Sequence, residues 1–211
     1  PAHLVTLKRS DINTYDDLKG KKIGVGAIGS AIYASGAMLL AAEGLDIEKD
    51  IDAVHGLSQA EQKEAIIEGT IDAGVFVSAS PNPSIMEAAY LTDIKIIPSD
   101  KERLSTYLST LDPGKQANNC IMVTPAGTYS NIDEDILSMG TVVVIVTRAD
   151  VEDEVIYAFL EAIFENTDEL EQVHPVGEHI KLDASTLFTG QGEMFLHPGA
   201  ERYFKDMGVL K

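Results

Sequence analysis

The sequence predicts an α/β fold, a mostly parallel sheet with flanking helices, divided between two lobes. Short β-rich runs alternate with helical stretches from His3 to Thr124, the pattern of consecutive βα units. Hydrophobic residues make up 45% of the 211 residues, enough for a packed core and too many for a disordered chain. Two similar strands bracket the alternating segment: Leu4-Val5-Thr6-Leu7 runs into Lys8-Arg9-Ser10-Asp11, and Val144-Ile145-Val146-Thr147 runs into Arg148-Ala149-Asp150. One reading is a lobe entered by the first strand and left by the second. The other is that two ordinary strands look alike.

The strands expected in order are His3–Leu7, Lys22–Gly26, Ala53–Leu57, Gly74–Ala79, Ile94–Pro98 and Cys120–Thr124. Helices are expected over Ser30–Glu43, Ser58–Glu68, Pro83–Leu91 and Lys101–Leu111. Ser58 stands three residues before Glu61, a capping-box spacing, and Gly44 and Gly69 fall where helix-terminating glycines belong. Thr141–Thr147, an unbroken β-branched run, carries the strongest strand signal in the chain. After it, Asp150 is the expected N-cap of a helix whose Ile156, Phe159, Leu160, Ile163 and Phe164 form one apolar stripe. A last helix is expected over Pro198–Met207, stopped by Gly208.

Charge narrows the function. Sixteen Lys and Arg against 34 Asp and Glu give a net charge of −18, a field that repels phosphate backbones and anionic lipid, so no nucleic-acid partner is expected. No run reaches the ~18 apolar residues that span a bilayer. Pro1 leads directly into a strand, so any signal segment is expected to lie outside this sequence. Cys120, the only cysteine, allows no internal disulfide or zinc pattern and reads as a small buried hydrophobe. His174 and His179 are poorly spaced for a shared metal. No nucleophile, base and carboxylate converge, and neither catalysis nor a cofactor is expected.

Gly24-Val25-Gly26-Ala27-Ile28-Gly29 is a literal GxGxxG between a strand and a helix. As a dinucleotide fingerprint it needs an acidic residue at the end of the next strand, about 20 residues on. That strand ends in His55-Gly56-Leu57, while Asp50 and Asp52 precede it. The same loop has simpler uses. Gly29, Ser30 and Ala31 open a helix whose free N–H groups suit a small carboxylate or phosphate, or they form a plain βα turn. A second helix start follows the Gly74–Ala79 strand, at Ser78, Ala79, Ser80, Pro81 and Asn82; open α/β sheets place ligands at such carboxyl edges, and a routine turn is the alternative. Tyr129 offers an aromatic wall or hydroxyl, or is a half-buried loop residue. His197 reads as a structural residue near the last helix.

Several segments in order resemble the TAXI family, the solute receptors of TRAP transporters, within the type II periplasmic binding protein fold. They are Asp17-Leu18-Lys19-Gly20-Lys21-Lys22-Ile23 with Gly24–Ser30; Glu68-Gly69-Thr70-Ile71-Asp72-Ala73 with Gly74–Ser78 and Pro81-Asn82-Pro83-Ser84-Ile85; Pro125-Ala126-Gly127-Thr128-Tyr129; Thr141–Thr147 with Val155-Ile156-Tyr157; and Leu196-His197-Pro198-Gly199-Ala200-Glu201-Arg202-Tyr203-Phe204. Members of that family carry a further N-terminal segment that builds most of the first lobe. The resemblance therefore implies residues 10–140 as lobe 2, and residues 1–9 with 141–211 as an incomplete lobe 1 with hinge strands. Two departures stand out. The family's Gly-Ser-Gly-Thr opening is Gly29-Ser30-Ala31-Ile32 here, and its Gly-rich turn is Ser78-Ala79-Ser80. The implied activity is capture, outside the cytoplasm, of a small carboxylated solute such as a glutamate-like amino acid or a dicarboxylate, with TRAP transporter membrane subunits as partners. The readings from other classes are an NAD-dependent oxidoreductase using the GxGxxG loop and a sensory ligand-binding module.

Overall fold

In the computed structural model the described residues are 1–173, 177, 180–183 and 196–210; His174 and His179 lie outside them. The chain divides into two compact units, residues 1–112 with 119–141, and residues 113–118 with 142–211.

The first unit is built on five strands, β1 (Ala2–Leu7), β2 (Lys22–Gly26), β3 (Asp52–His55), β4 (Ala73–Val77) and β5 (Ile94–Ile97), in the order β3-β2-β4-β1-β5. Pairing is parallel between β2 and both β3 and β4, whereas β1 runs antiparallel between β4 and β5. Four strands thus share one direction, and the expected α/β class with a mainly parallel sheet is observed. Residues 1–9, assigned from the sequence to the first lobe, supply β1 inside this sheet.

Period-2 alternation gives the sheet two buried faces. Leu4, Ile23, Val25, Ala73, Val75 and Ile97 pack on one side with Leu39 and Leu40 of α1 (Ala31–Ala42) and Leu104 of α4 (Lys101–Thr110). Val5, Leu7, Phe76, Ile94 and Ile96 pack on the other with Ile66 of α2 (Gln59–Glu68) and Ile85, Ala88 and Ala89 of α3 (Pro83–Leu91). The capping box that Ser58 and Glu61 predict is present, with the Ser58 hydroxyl accepting from the Glu61 N–H and the Glu61 carboxylate accepting from the Ser58 N–H. A hairpin of β6 (Asn119–Thr124) and β7 (Ile136–Thr141) closes the unit. Its residues Met139 and Ile136 reach opposite cores. Cys120 is only half-buried in β6, because that strand pairs on one side with β7 and is largely open on the other.

The second unit holds α5 (Pro113–Asn118), α6 (Asp153–Glu165), α7 (Thr167–Val173) and α8 (Pro198–Asp206). Three expectations fail here. Thr141 ends β7, but residues 142–147 join no sheet, with Val143 89%, Ile145 74% and Val146 83% exposed. β-propensity describes fit to a pleated, half-buried surface, and no neighbouring strand among the described residues offers one. The N-cap of α6 is Glu152 rather than Asp150, whose carboxylate is held by the Arg148 guanidinium two residues away. The apolar stripe of α6 is also split: Ile156, Leu160 and Phe164 pack on Tyr203 and Phe204 of α8, while Phe159 stays 43% exposed.

His197 is structural, as its place in the motif suggests. Its Nδ1 accepts from Gly199 N (3.2 Å), and its Nε2 donates to the Val151 carbonyl (3.0 Å), which fixes the tautomer. Gly199 follows because α8 starts against α6: a Cβ there would stand 2.2 Å from the Asp153 carbonyl oxygen. Gly199→Ala is expected to destabilise this unit by roughly 1–3 kcal/mol through overpacking. A lowered urea midpoint with an unchanged slope is the expected readout, and an unshifted midpoint would show that α8 can back away freely.

Candidate functional site

The carboxyl ends of β2, β3 and β4 lie side by side, and each leads into a turn. Two of these turns hold the residues singled out from the sequence, Gly29, Ser30 and Ala31 after β2, and Ser78, Ala79, Ser80, Pro81 and Asn82 after β4. The strands are not zipped together to their ends. The β2–β4 ladder covers only Ile23 with Ala73 and Gly24 with Gly74. Beyond it, two glutamines of α2 take over β4's open edge. Gln62, fully buried, accepts from Val75 N (3.1 Å) and donates to the Leu57 carbonyl (3.3 Å). Gln59, one turn earlier, accepts from Val77 N and donates to Val77 O, each at 3.2 Å. Side-chain amides thus replace a strand where the sheet opens at its carboxyl edge.

The two helix starts differ chemically. At α1, Ser30 is the N-cap and its hydroxyl accepts from Tyr33 N (3.2 Å). This leaves the N–H groups of Ala31 and Ile32 without an intrahelical acceptor at the positive end of the helix dipole. Ala27, Ile28, Gly29 and Ala31 are exposed there. No carboxylate sits in the first turn of α1. At α3, Asn82 is buried and closes the start itself, its Oδ1 accepting from Ser84 N (2.9 Å) and Ile85 N (3.2 Å).

The turn before α3 is held from two sides. Asn82 Nδ2 donates to Gln59 Oε1 (2.7 Å) and to Ser78 Oγ (2.8 Å), and Ser78 Oγ donates to Ala79 O. From the hairpin loop, Tyr129 Oη accepts from Asn82 N (2.9 Å) and lies 3.3 Å from Ser80 Oγ. Tyr129 is 2% exposed, so of its expected roles the hydroxyl is the one engaged, toward protein groups. Burial pushes its phenol pKa up, while Ser80 and the Asn82 N–H pull it down. Behind Ser80 stand Thr124 Oγ1 (3.5 Å) and then His3 Nε2, 3.2 Å from Thr124.

The structure therefore brings Ser78, Ser80, Asn82 and Tyr129 into one network and places Gly29, Ser30 and Ala31 on the neighbouring strand's end. Gln59, Thr124 and His3 were missed from the sequence. Glutamines at i and i+3 on the inward face of α2, and a histidine inside a strand buried on both faces, were the available signals. The dinucleotide reading gains nothing, since Asp52 opens β3 at the end away from the glycine turn and His55 closes it.

Other concavities in this unit offer less. One cavity of about 10 Å³, lined in part by Ser35, Val77 and Asn119, has room for about one water. A broader depression at the far end of α1 is lined by Glu43 and Arg103, and these groups already serve Asp100 N, Asp16 and one another. Among the described residues no cluster of three metal-binding side chains occurs, and no helix is long and apolar enough to cross a membrane.

The unit has the architecture of an open α/β sheet with its candidate site at the carboxyl edge, the place where such sheets hold ligands. The chain is a member of the NMT1-like family, whose profile matches residues 1–208. In fold it is similar to periplasmic solute-binding proteins. The alkanesulfonate-binding protein SsuA from Xanthomonas axonopodis pv. citri, bound to MOPS, aligns with 97% of this chain and 54% of its own at 16% identity and a TM-score of 0.47. The periplasmic aliphatic sulphonate binding protein SsuA from Escherichia coli aligns with 46% of this chain and 31% of its own at 24% identity and a TM-score of 0.39. Domain 2 of TmArgBP aligns with 47% of this chain and 97% of its own at 24% identity and a TM-score of 0.34. This chain thus spans less than two thirds of the length of either SsuA.

Proposed function

We propose that this chain is part of an extracytoplasmic solute receptor that binds a small organic anion or amino acid without transforming it, for a TRAP-type transporter of the TAXI kind. The observation that supports it best is the contrast between the two helix starts. The α1 start keeps its first N–H groups available at an exposed glycine turn, whereas the α3 start has used its own. A carboxylate at Ala31 and Ile32 would meet two oriented donors and a helix dipole. Ser30 flanks it, and the turn from Ser78 to Asn82 forms a wall. In this reading β1 is a hinge strand, the run after Thr141 is a hinge segment rather than a strand, residues 10–140 make the second lobe, and a closing lobe supplies the remaining contacts.

The test is a thermal-shift panel of amino acids, dicarboxylates, an alkanesulfonate and nicotinamide dinucleotides, followed by Ala31→Pro. Ala31 is the first residue of α1, where proline fits the helix and deletes one N–H, and Ser30 already has the extended backbone that a following proline requires (φ −80°, ψ 162°). At least one carboxylate should raise the melting temperature, and Ala31→Pro should weaken it about tenfold, the scale of one charge-assisted hydrogen bond. Silence from every carboxylate beside a response to the sulfonate would change the ligand class. A response to the dinucleotides alone would reverse the reading.

A further inference from the structure

We infer that Tyr129 is a positioning residue: the β6–β7 hairpin uses its hydroxyl to set where the Ser78–Asn82 wall stands. This rests on the binding reading above and deepens it, because it assigns the geometry of that wall to a loop well separated in sequence. Three observations carry it. The hydroxyl takes the N–H of Asn82 (2.9 Å), the one N-cap group that the Asn82 side chain does not serve. The same oxygen lies 3.3 Å from Ser80 Oγ, so one phenol holds two points of a five-residue turn. The loop that carries Tyr129 is itself braced, with Gly127 N donating to Ile132 O, Thr128 N to Pro125 O and Ala126 N to Asp135 Oδ1. The ring is anchored as well, edge-on to His3 at 6.0 Å between centroids and packed among Val5, Ile85, Ile132 and Ile136 in one core cluster. A braced loop, an anchored ring and a hydroxyl shared by two wall residues make a fixed strut. Gln59 meets the same turn from the opposite side through Asn82 Nδ2 (2.7 Å), so the wall is clamped between α2 and the hairpin. Binding to a wall held in place loses less ordering entropy than binding to one that must be fixed on contact.

Tyr129→Phe keeps the ring and removes the strut. Amide hydrogen exchange and calorimetric titration with L-glutamate on the whole chain test it. Exchange at the Asn82 amide and in the stretch from Ser78 to Ile85 should accelerate at least tenfold, with the rest of the first unit unchanged, and glutamate affinity should fall about tenfold. Acceleration spread evenly over the unit would mark a merely stabilising residue and overturn the inference, as would unchanged exchange, or faster exchange with full affinity. Ser80→Ala, which leaves the core untouched, covers the case of a Tyr129→Phe chain that does not fold. It should accelerate the same stretch about threefold, and an unchanged rate there overturns the inference. If the native chain takes no L-glutamate, glutamate fails as the ligand on its own account, and the carboxylate panel decides the ligand class. The location of the exchange effect, local or spread, then decides the positioning role.

Discussion

Lowering the pH from 7 to 4.5 should cost the first unit roughly 2–3 kcal/mol of stability through His3 alone. His3 sits on β1, 2% exposed, with Nε2 against Thr124 Oγ1 and Nδ1 without a hydrogen-bond partner among the described residues. Burial, and secondarily the nearby amino terminus, pull its pKa from 6.5 down to about 3. In the unfolded chain the ring takes up a proton as pH falls through about 6.5, while in the folded chain it stays neutral until about 3. Between those values the unfolded state binds more protons, so stability falls with decreasing pH at about 1.4 kcal/mol per unit. Above 6.5 both states are neutral and the slope from His3 vanishes.

Other groups titrate with different signatures. Salt-bridged or capping carboxylates such as Asp11, Asp17 and Glu61 have lowered pKa values. Their stabilisation is present above the usual carboxylate range and fades below it, and it is weak because they are exposed. Glu43 is raised, mainly by burial, and so opposes His3 just above the carboxylate range. Urea midpoints of the native chain and His3→Gln, taken at pH 7 and 4.5, separate these terms. The native chain should lose the additional 2–3 kcal/mol, and equal losses in both proteins would mean that the ring is accessible to protons.

Gln62→Leu is the second large effect, expected to destabilise by about 2–4 kcal/mol. The substitution keeps the volume but strands the N–H of Val75 in a buried place and the carbonyl of Leu57 in a half-buried one, and a fully buried orphaned group costs ~1–3 kcal/mol. Gly24 gives the companion experiment. A Cβ at Gly24 would stand 2.7 Å from Gln62 Oε1, 2.9 Å from its Cγ and 3.0 Å from its Cδ, so its three nearest atoms all belong to Gln62. Gly24→Ala should therefore be costly in the native background and much less so in Gln62→Ala, where the space is vacated. A double-mutant cycle of denaturation free energies should show coupling well above the ~0.5 kcal/mol seen between independent sites. Strict additivity would mean that Gln62 does not fill the gap between β2 and β4.

The sheet elements of the first unit were legible because their signals are local. Ser58 with Glu61, Pro83 after Asn82 and the apolar runs at β1, β2 and β4 fix helix starts and strands from within a few residues. The glycines at 24, 26 and 29 marked the turn into α1. β7 was missed because Ile136-Leu137-Ser138-Met139-Gly140-Thr141 alternates poorly and ends in glycine, and its strand character comes from pairing with β6. The opposite error fell on residues 142–147, where strong β-propensity found no partner. At the site, the sequence located both turns and picked out Tyr129. It had no means of distinguishing an available helix start from a self-satisfied one.

The sequence by itself determined the α/β class, the strongly acidic character, the order of βα units, and the two carboxyl-edge turns. These follow from residue type and short spacing, to which backbone geometry and the helix dipole respond directly. Tertiary structure alone decided that β1 enters antiparallel between β4 and β5 and that Gln59 and Gln62 stand in for a strand where β2 and β4 part. It also decided that Asn82 is locked by Tyr129 while Ala31 and Ile32 keep their donors. Hydrogen-bond partners far apart in sequence are chosen by which buried groups meet and must be satisfied, and that is settled only when the chain has closed on itself.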